Sequence, residues 1–268
     1  MTRKNLQMKA IQAIRTAAIA LALCILASTA AASSAFAMET AVEINLSDNG
    51  ITADYPGVYS EGSILTITLP GDYLLTGSLS NGQIIVDCEQ EGKVKLYLNG
   101  VSIHCENGPA LNIIKCSPRL SIELVEDTVN ELSDGPVYAD PKNNVDAVIY
   151  SKADLTITGT GSLNVKGSYR DGIVSKDDLR FKGGKISVEA VHNGICGKDC
   201  VEIYDGEITV RAGNDGIKST NEESLWGYIT MESGSVTIIC GDEPLSVVHG
   251  LSITGGTIDA KVDTNLKK

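Results

Sequence analysis

The chain of 268 residues carries 34 acidic against 22 basic residues, a net charge of −12 at pH 7. A surface of that sign repels nucleic acid and anionic lipid, so both are excluded as partners. Aromatic residues make up only 4% of the chain, which excludes a row of ring platforms for stacking flat sugars.

Residues 1–37 read as a secretion signal. Arg3, Lys4, Lys9 and Arg15 make a basic start, Ala17 to Ala27 is apolar, and Ala35-Phe36-Ala37 is a small-x-small cleavage site. The apolar run is too short to span a bilayer. Leu23, before Cys24, stands where lipoprotein processing needs a small residue. The mature chain is therefore expected to be secreted, extracellular or at the cell surface, with no membrane insertion after cleavage. The segment removed holds four basic residues and no acidic one, which leaves a net charge of −16.

Residues 38–70 read as a lead-in that caps an N-terminal end, and residues 71–268 as one repetitive domain. From Ser63 short apolar runs follow one another: ILTITL, then Gln83 to Val86, Val94 to Leu98, Val101 to His104, Ala110 to Ile114 and Ser121 to Val125. Asn81-Gly82, Asn99-Gly100 and Asn107-Gly108 punctuate them as turns. Glu126 to Asn144 is the longest break, an excursion over the surface or a loop that shapes a site. Strand periodicity resumes at Val145. Asp154-Leu155-Thr156-Ile157 aligns with Asp178-Leu179-Arg180-Phe181, and Asp146 stands one place earlier than Asp171 does in the next copy.

The repeat is plainest from Asp171 to Ala212, where DGIVSKDDLRFKGGKISVEAVH is followed by NGICGKDCVEIYDGEITVRAGN. Asp171 aligns with Asn193, Asp177 with Asp199, Phe181 with Ile203 and Val188 with Val210. A third copy opens at Asp215 and carries six extra residues around Glu222 to Gly227. A degraded fourth shows Leu251, Ile253, Ile258 and Ala260. Apolar residues alternate with polar ones inside each copy, so each holds two or three short strands. Strict recurrence every 22 residues predicts an all-β, single-stranded parallel β-helix whose coils stack and bury a shared core. Nine or ten coils are expected; the alternative is a tandem meander in a sandwich.

Stacking generates two polar columns. One holds Asp171, Asn193 and Asp215, then Glu243; the other holds Asp177, Asp199 and Asn221. Asp146, Asp154, Asp178 and Asn214 lie beside them. Carboxylates about 4.8 Å apart repel by about 3 kcal/mol at an effective dielectric of about 20. Calcium, which takes carboxylate, carbonyl and water oxygens, would relieve this better than magnesium. The plainer reading is that Asp-Gly and Asn-Gly pairs cap turns and that asparagines form internal ladders. Lys176 and Lys198 share one column, with Lys218 and Arg170 nearby; they contact an acidic sugar or merely offset the acids. Of the six cysteines after residue 37, Cys240 occupies the inward position of Ala190 and Ala212. Cys196 and Cys200 are close enough in sequence to be joined, and their spacing without a second pair is a poor zinc signal.

DGIVSKDDL, NGICGKDCVEIYDGEITVRAGNDGIKST, IYSKADLTITGTGSLNV, LYLNGVSIHCENGPALNI and LVEDTVNELSDG resemble the secreted bacterial carbohydrate-binding β-helix family, itself similar in fold to pectate lyases. The likeness runs from about Gly71 to Ala260. It implies a right-handed parallel β-helix that binds calcium and attaches to plant-cell-wall polysaccharides, acidic galacturonan (pectin) and cellulose. It further implies ligands at Asp171, Asp177, Asp178, Asp199, Asn214 and Asp215. Asn193 and Cys200 replace acidic residues of the pattern, and Asp242-Glu243-Pro244 replaces an acidic-Gly turn.

A lyase would need a base such as Arg170, Arg180, Arg211 or Lys176, and the spacing singles out none of them. His104, His192 and His249 are scattered, and no Ser or Cys elbow is visible. The first expectation is a non-catalytic binder; a pectate-type lyase and a structural cell-surface rod are the alternatives.

Overall fold

The computed structural model describes residues 38, 40–140 and 144–267; the expected leader, residues 1–37, lies outside them. The chain divides into two compact units, residues 1–41 and 42–268. In the first, the Ala41 N–H donates to the Met38 carbonyl at 3.2 Å. The rest of this description concerns the second unit, which is all-β apart from a short 3-10 turn at Thr264–Leu266.

Its strands fall into three parallel columns. The first stacks Ile64–Ile67, Gln83–Glu91, Leu111–Ser117, Ala147–Ser151, Asp171–Ser175, Ile195–Gly197, Ile217–Ser219 and Leu245–Ser246. These are eight rungs, with Val58–Glu61 paired antiparallel on the N-terminal one. The second column runs from Val42–Leu46 through Val94–Leu98, Leu120–Leu124 and Leu155–Gly159 to Tyr228–Met231 and Gly250–Ile253. The third holds Ser102–Cys105, Val129–Asp134, Ser162–Gly167, Ser235–Cys240 and Thr257–Val262. This is a parallel solenoid of about eight turns, fewer than the sequence suggests. The N-terminal apolar runs form an end strand and a hairpin rather than complete coils.

The repeat alignments hold rung by rung. Ile173 pairs with Ile195 and Ile195 with Ile217, Leu179 with Val201 and Val201 with Ile229, Val188 with Val210 and Val210 with Ile238. Ala147 pairs with Asp171, which places Asp146 one residue ahead of that rung. Alternation turns every second side chain inward. The inward residues make one continuous core, including Ile149, Ile173, Leu179, Phe181, Ile195, Val201 and Ile217, all with no exposed surface. Each such burial contributes about 1.5–3 kcal/mol. Leu251 and Ile253 cover Ile229 and Met231, and about half of each remains exposed.

Where the second and third columns meet, the two expected strands join into the single strands Asp178–Ala190 and Cys200–Ala212. The bend is made by stacked glycines at positive φ: Gly159 (98°), Gly206 (129°), Gly234 (87°) and Gly256 (80°). A Cβ on Gly234 would lie 2.4 Å from the Gly206 carbonyl oxygen, so only glycine fits this corner.

The break after Glu126 is not all loop. It contains the strand Val129–Asp134, whose inward residues are Asn130, Leu132 and Asp134. The chain then crosses the outer face of the first column. Tyr138, Val145, Ala147, Tyr150 and Val174 form a second apolar cluster there. Tyr138 stacks on Tyr169 with ring centroids 4.2 Å apart, and its hydroxyl donates to Asp134 at 2.7 Å. The backbone N–H of Ser168 donates to the same carboxylate at 2.5 Å, which anchors the turn before Arg170.

Candidate functional site

The first polar column is a ladder of hydrogen bonds. Asp171 Oδ1 accepts from the Asn193 N–H at 2.9 Å and lies 2.7 Å from His192 Nδ1; Oδ2 accepts from Asn193 Nδ2 at 3.3 Å. Asn193 Oδ1 accepts from Asn214 Nδ2 at 2.9 Å and from the Asp215 N–H at 3.2 Å. Asp215 Oδ1 accepts from the Glu243 N–H at 3.2 Å, and Lys218 Nζ sits 2.7 Å from Oδ2. Each side chain thus caps the backbone of the next coil. Asp171, Asn193 and Asp215 are all buried, and the donors around them satisfy their oxygens.

In the second column protein donors reach Asp154, Asp178 and Asp199, the Asp178 N–H donating to Asp154 at 3.4 Å, and leave Asp177 short. Asp154, Asp177 and Asp178 each bring a carboxylate oxygen into one group whose atoms all lie within 4.8 Å of one another. Arg180 reaches into this cluster from the outer face of its strand. Its guanidinium contacts Asp154 Oδ2 at 3.0 Å and Glu202 Oε2 at 2.7 Å, and it also pairs with Asp178. Burial would lower the guanidinium pKa, but the hydrogen bonds to Asp154 and Glu202 and the Asp178 charge push it up instead. Cys200 Sγ donates to Asp178 Oδ1 at 3.1 Å. Asp177 remains outside this arrangement. Burial, then the Asp154 charge, then a hydrogen bond shared with Asp199 and the charges of Asp199 and Asp178 push its carboxyl up to about 6. Asn221 Nδ2 donates to Asp199 Oδ1.

Between these columns, on the outer face of the first strand column, lies a shallow cleft of about 240 Å³. Arg170, Lys176, Lys198 and Lys218 line it together with Asp146, Asp171, Asn193, Cys196 and Thr220. All four cations singled out in the sequence therefore meet at one place. They arrive by different routes. Lys176 and Lys198 share a column, since the Lys198 N–H donates to the Ser175 carbonyl at 2.9 Å. Lys218 pairs with Cys196, two positions before Lys198, and Arg170 enters from the turn after Tyr169. Asp146 Oδ1 is buried and makes no hydrogen bond; Lys176 Nζ stands 3.9 Å from it, and Arg170 Nε 3.9 Å from Oδ2. Burial raises the Asp146 carboxyl pKa, and the Lys176 charge opposes that rise. The hydrogen bond from Lys218 to Asp215 raises the lysine pKa against a smaller burial effect.

Thus Asp171, Asn193, Asn214 and Asp215 fall in the ladder, Asp154, Asp177, Asp178 and Asp199 in the second column, and Asp146 in the cleft. Sequence reasoning treated Arg180 only as a potential base and passed over Glu202. Their pairing was legible, because they occupy one outward column two rungs of the repeat share. The six cysteines after residue 37 are all free thiols, and Cys196 faces the cleft.

A family model described as carbohydrate-binding domain-containing protein matches residues 61–268. A protein of the same description from Acetivibrio thermocellus is 42% identical over 201 residues, 73% of this chain and 70% of that relative. Among solved structures, the polysaccharide lyase-like protein from C. thermocellum, a gadolinium derivative, is similar with a TM-score of 0.74 and 32% identity. The match covers 84% of this chain and 96% of that one.

Proposed function

The chain belongs to the family of carbohydrate-binding domain-containing proteins, and from that premise we propose that it is a secreted, non-catalytic binder of an acidic plant-cell-wall polysaccharide such as galacturonan. The observation that carries this reading is the convergence of Arg170, Lys176, Lys198 and Lys218 on one cleft of a chain with net charge −12. Four cations gathered on so acidic a molecule present a local patch for carboxylate groups along a polymer. The open, shallow form of the cleft suits a chain laid over a surface.

We assign calcium to the second column. Asp154, Asp177 and Asp178, with Asp199 beside Asp177, offer carboxylate oxygens, the donor set a hard cation takes. Arg180 neutralises only part of their charge, and the raised Asp177 pKa registers the remainder. Bound calcium would supply fixed positive charge beside the cleft, so that an acidic protein can hold an acidic sugar. The residues of the first column, saturated by protein donors, have less need of an ion.

A lyase is the second reading, favoured by the polysaccharide lyase-like description of the solved relative. Arg180, one of the candidate bases, argues against it, since hydrogen bonds to Asp154 and Glu202 and the Asp178 charge stabilise its guanidinium while a base needs the opposite shift.

Affinity electrophoresis through gels containing polygalacturonate tests the binding. Retardation is expected with calcium, reduced by a chelator, and Lys176→Ala with Lys198→Ala should weaken affinity about tenfold, about 1.4 kcal/mol. Unretarded wild-type protein would overturn the proposal, as a rod without sugar affinity predicts. Accumulating ultraviolet absorbance of unsaturated sugar would replace binder by lyase. N-terminal sequencing of protein from culture medium should begin after Ala37.

A further inference from the structure

One buried acid belongs to neither polar column and does not line the cleft. Asp134 closes the strand Val129–Asp134 and is 2% exposed. Its Oδ1 accepts from the Ser168 N–H at 2.5 Å and from the Tyr169 N–H at 3.4 Å. Those two residues lead directly into Arg170, which does line the cleft. Oδ2 meets the Tyr138 hydroxyl at 2.7 Å, and the Tyr138 ring stacks on Tyr169. One carboxyl group therefore holds the turn by its backbone and by the ring that covers it.

The same hydroxyl also lies 2.9 Å from the carbonyl of Ala147, a residue with no exposed surface. A phenol has one proton and cannot give it in full to two acceptors. Both short contacts are satisfied together when Asp134 brings a second proton: the acid donates to Tyr138, and Tyr138 donates to Ala147. With Asp134 ionised, the Tyr138 proton is drawn to the carboxylate and the Ala147 carbonyl loses this donor in a buried place. The partners of Asp134 are N–H and O–H groups, with no lysine or arginine among them. Burial accordingly raises its pKa, against the pull of those hydrogen bonds and of the His104 charge. Ala147 follows Asp146, so the relay ties the turn that carries Arg170 to the strand end that carries Asp146.

Other ionisable groups surround this one. Cys105 pairs with Asp134 on the preceding coil, with Glu106 at the corner beyond it, and burial keeps the Cys105 thiol protonated. His104 and Lys166 pair with the neighbouring Ser133 from the coils on either side. Tyr138, whose pKa burial raises, has Asp146 on its far side. We propose that Asp134 is a proton-carrying positioning residue: its protonated carboxyl, relayed through Tyr138 to Ala147, fixes the turn that delivers Arg170, so that the cleft grips an acidic sugar more tightly in mild acid than at higher pH. The affinity half of this inference rests on the acidic-sugar reading of the cleft; the proton on Asp134 does not.

Asparagine imitates the protonated acid, since its amide N–H can donate to Tyr138 while its oxygen accepts from Ser168 and Tyr169. Alanine imitates neither form. Thermal midpoints of wild type, Asp134→Asn and Asp134→Ala are followed from acid to neutral pH. The folded chain holds the Asp134 proton more tightly than the unfolded one, so its stabilising contribution is complete below the ordinary value of 3.8 and is lost as pH rises through the raised pKa. Wild type and Asp134→Asn should thus melt together in acid and separate as pH rises, with wild type lower. Asp134→Ala should melt about 5 °C lower than Asp134→Asn throughout. Calorimetry with an oligogalacturonate should show wild type losing about fivefold more affinity than Asp134→Asn over the same rise. That comparison cancels the titrations of Asp146 and Asp177, which both chains keep. Parallel melting curves for wild type and Asp134→Asn, or an asparagine as damaging as alanine, overturn the proton. A melting difference with no matching difference in affinity overturns the positioning of Arg170. Wild type that binds no oligogalacturonate at any pH sinks the cleft reading and the affinity half with it, and the melting curves still decide the proton.

Discussion

The two polar columns are built from the same residue types at fixed offsets of one repeat, yet they differ in kind. In the first, Asp171 and Asp215 each cap a backbone N–H of the following coil, and Asn193 links them with its amide. In the second, Asp177 faces Asp154, Asp178 and Asp199, and its carboxyl is held near 6. Arg180 is the cation that serves the rest of that cluster. The lesson is that vertical stacking of acids does not by itself call for a metal. What decides is whether the turn that follows aims N–H groups at the carboxylate. Asp154 does accept such an N–H, from Asp178 at 3.4 Å, and the spare negative charge gathers at Asp177.

That contrast can be broken most forcefully at Arg180. Arg180→Met leaves Asp154, Asp178 and Glu202 without their guanidinium and should cost about 3 kcal/mol of unfolding free energy in urea. Calcium should restore part of the loss, because the freed carboxylates can then share the ion. Asp171→Ala should cost about 2 kcal/mol by stranding the Asn193 donors, and calcium should restore none of it. An equal calcium response in the two variants would erase the distinction between the columns.

Asp177→Asn should act oppositely, adding about 1 kcal/mol at neutral pH without divalent ions and lowering calcium affinity about tenfold by calorimetry. The smallest effect is one of pH. The folded state holds the Asp177 proton more tightly than the unfolded chain does, with a carboxyl raised from 3.8 to about 6. Its stabilising contribution is complete below about pH 4 and disappears as pH rises through 6. The difference in thermal midpoint between wild type and Asp177→Asn should therefore widen across that window, and saturating calcium should flatten it.

The central coils were legible because their inward residues are all apolar and return every 22 positions, as Ile173, Ile195 and Ile217 do. The strand Val129–Asp134 was not. Two of its three inward residues are polar, which hides the alternation. Asn130 is nevertheless fully buried, accepting from the Val101 N–H at 3.0 Å and donating to the Ser162 carbonyl at 3.1 Å, one coil on either side. The corner glycines were visible as Gly-Gly and Asp-Gly turns, but turn composition does not say that strand pairing continues through the bend. The acidic columns could be aligned from the repeat. Their donors could not be counted, since the N–H that caps Asp171 belongs to a residue 22 positions away whose direction depends on the turn. The cleft required three offsets at once, and only the shared Lys176 and Lys198 column announced itself.

The corner after Ser219 admits six residues while the flanking rungs keep their partners. Architecture and ornament are thereby uncoupled: the stack tolerates lengthening at its corners because those residues contribute no inward side chain. A corner of this row that lies away from the acidic cluster is then a natural graft point, where a foreign recognition peptide could be displayed from an unaltered scaffold. By the same logic, relatives of this solenoid can diverge in what they grip through corner insertions alone, without renegotiating the interior.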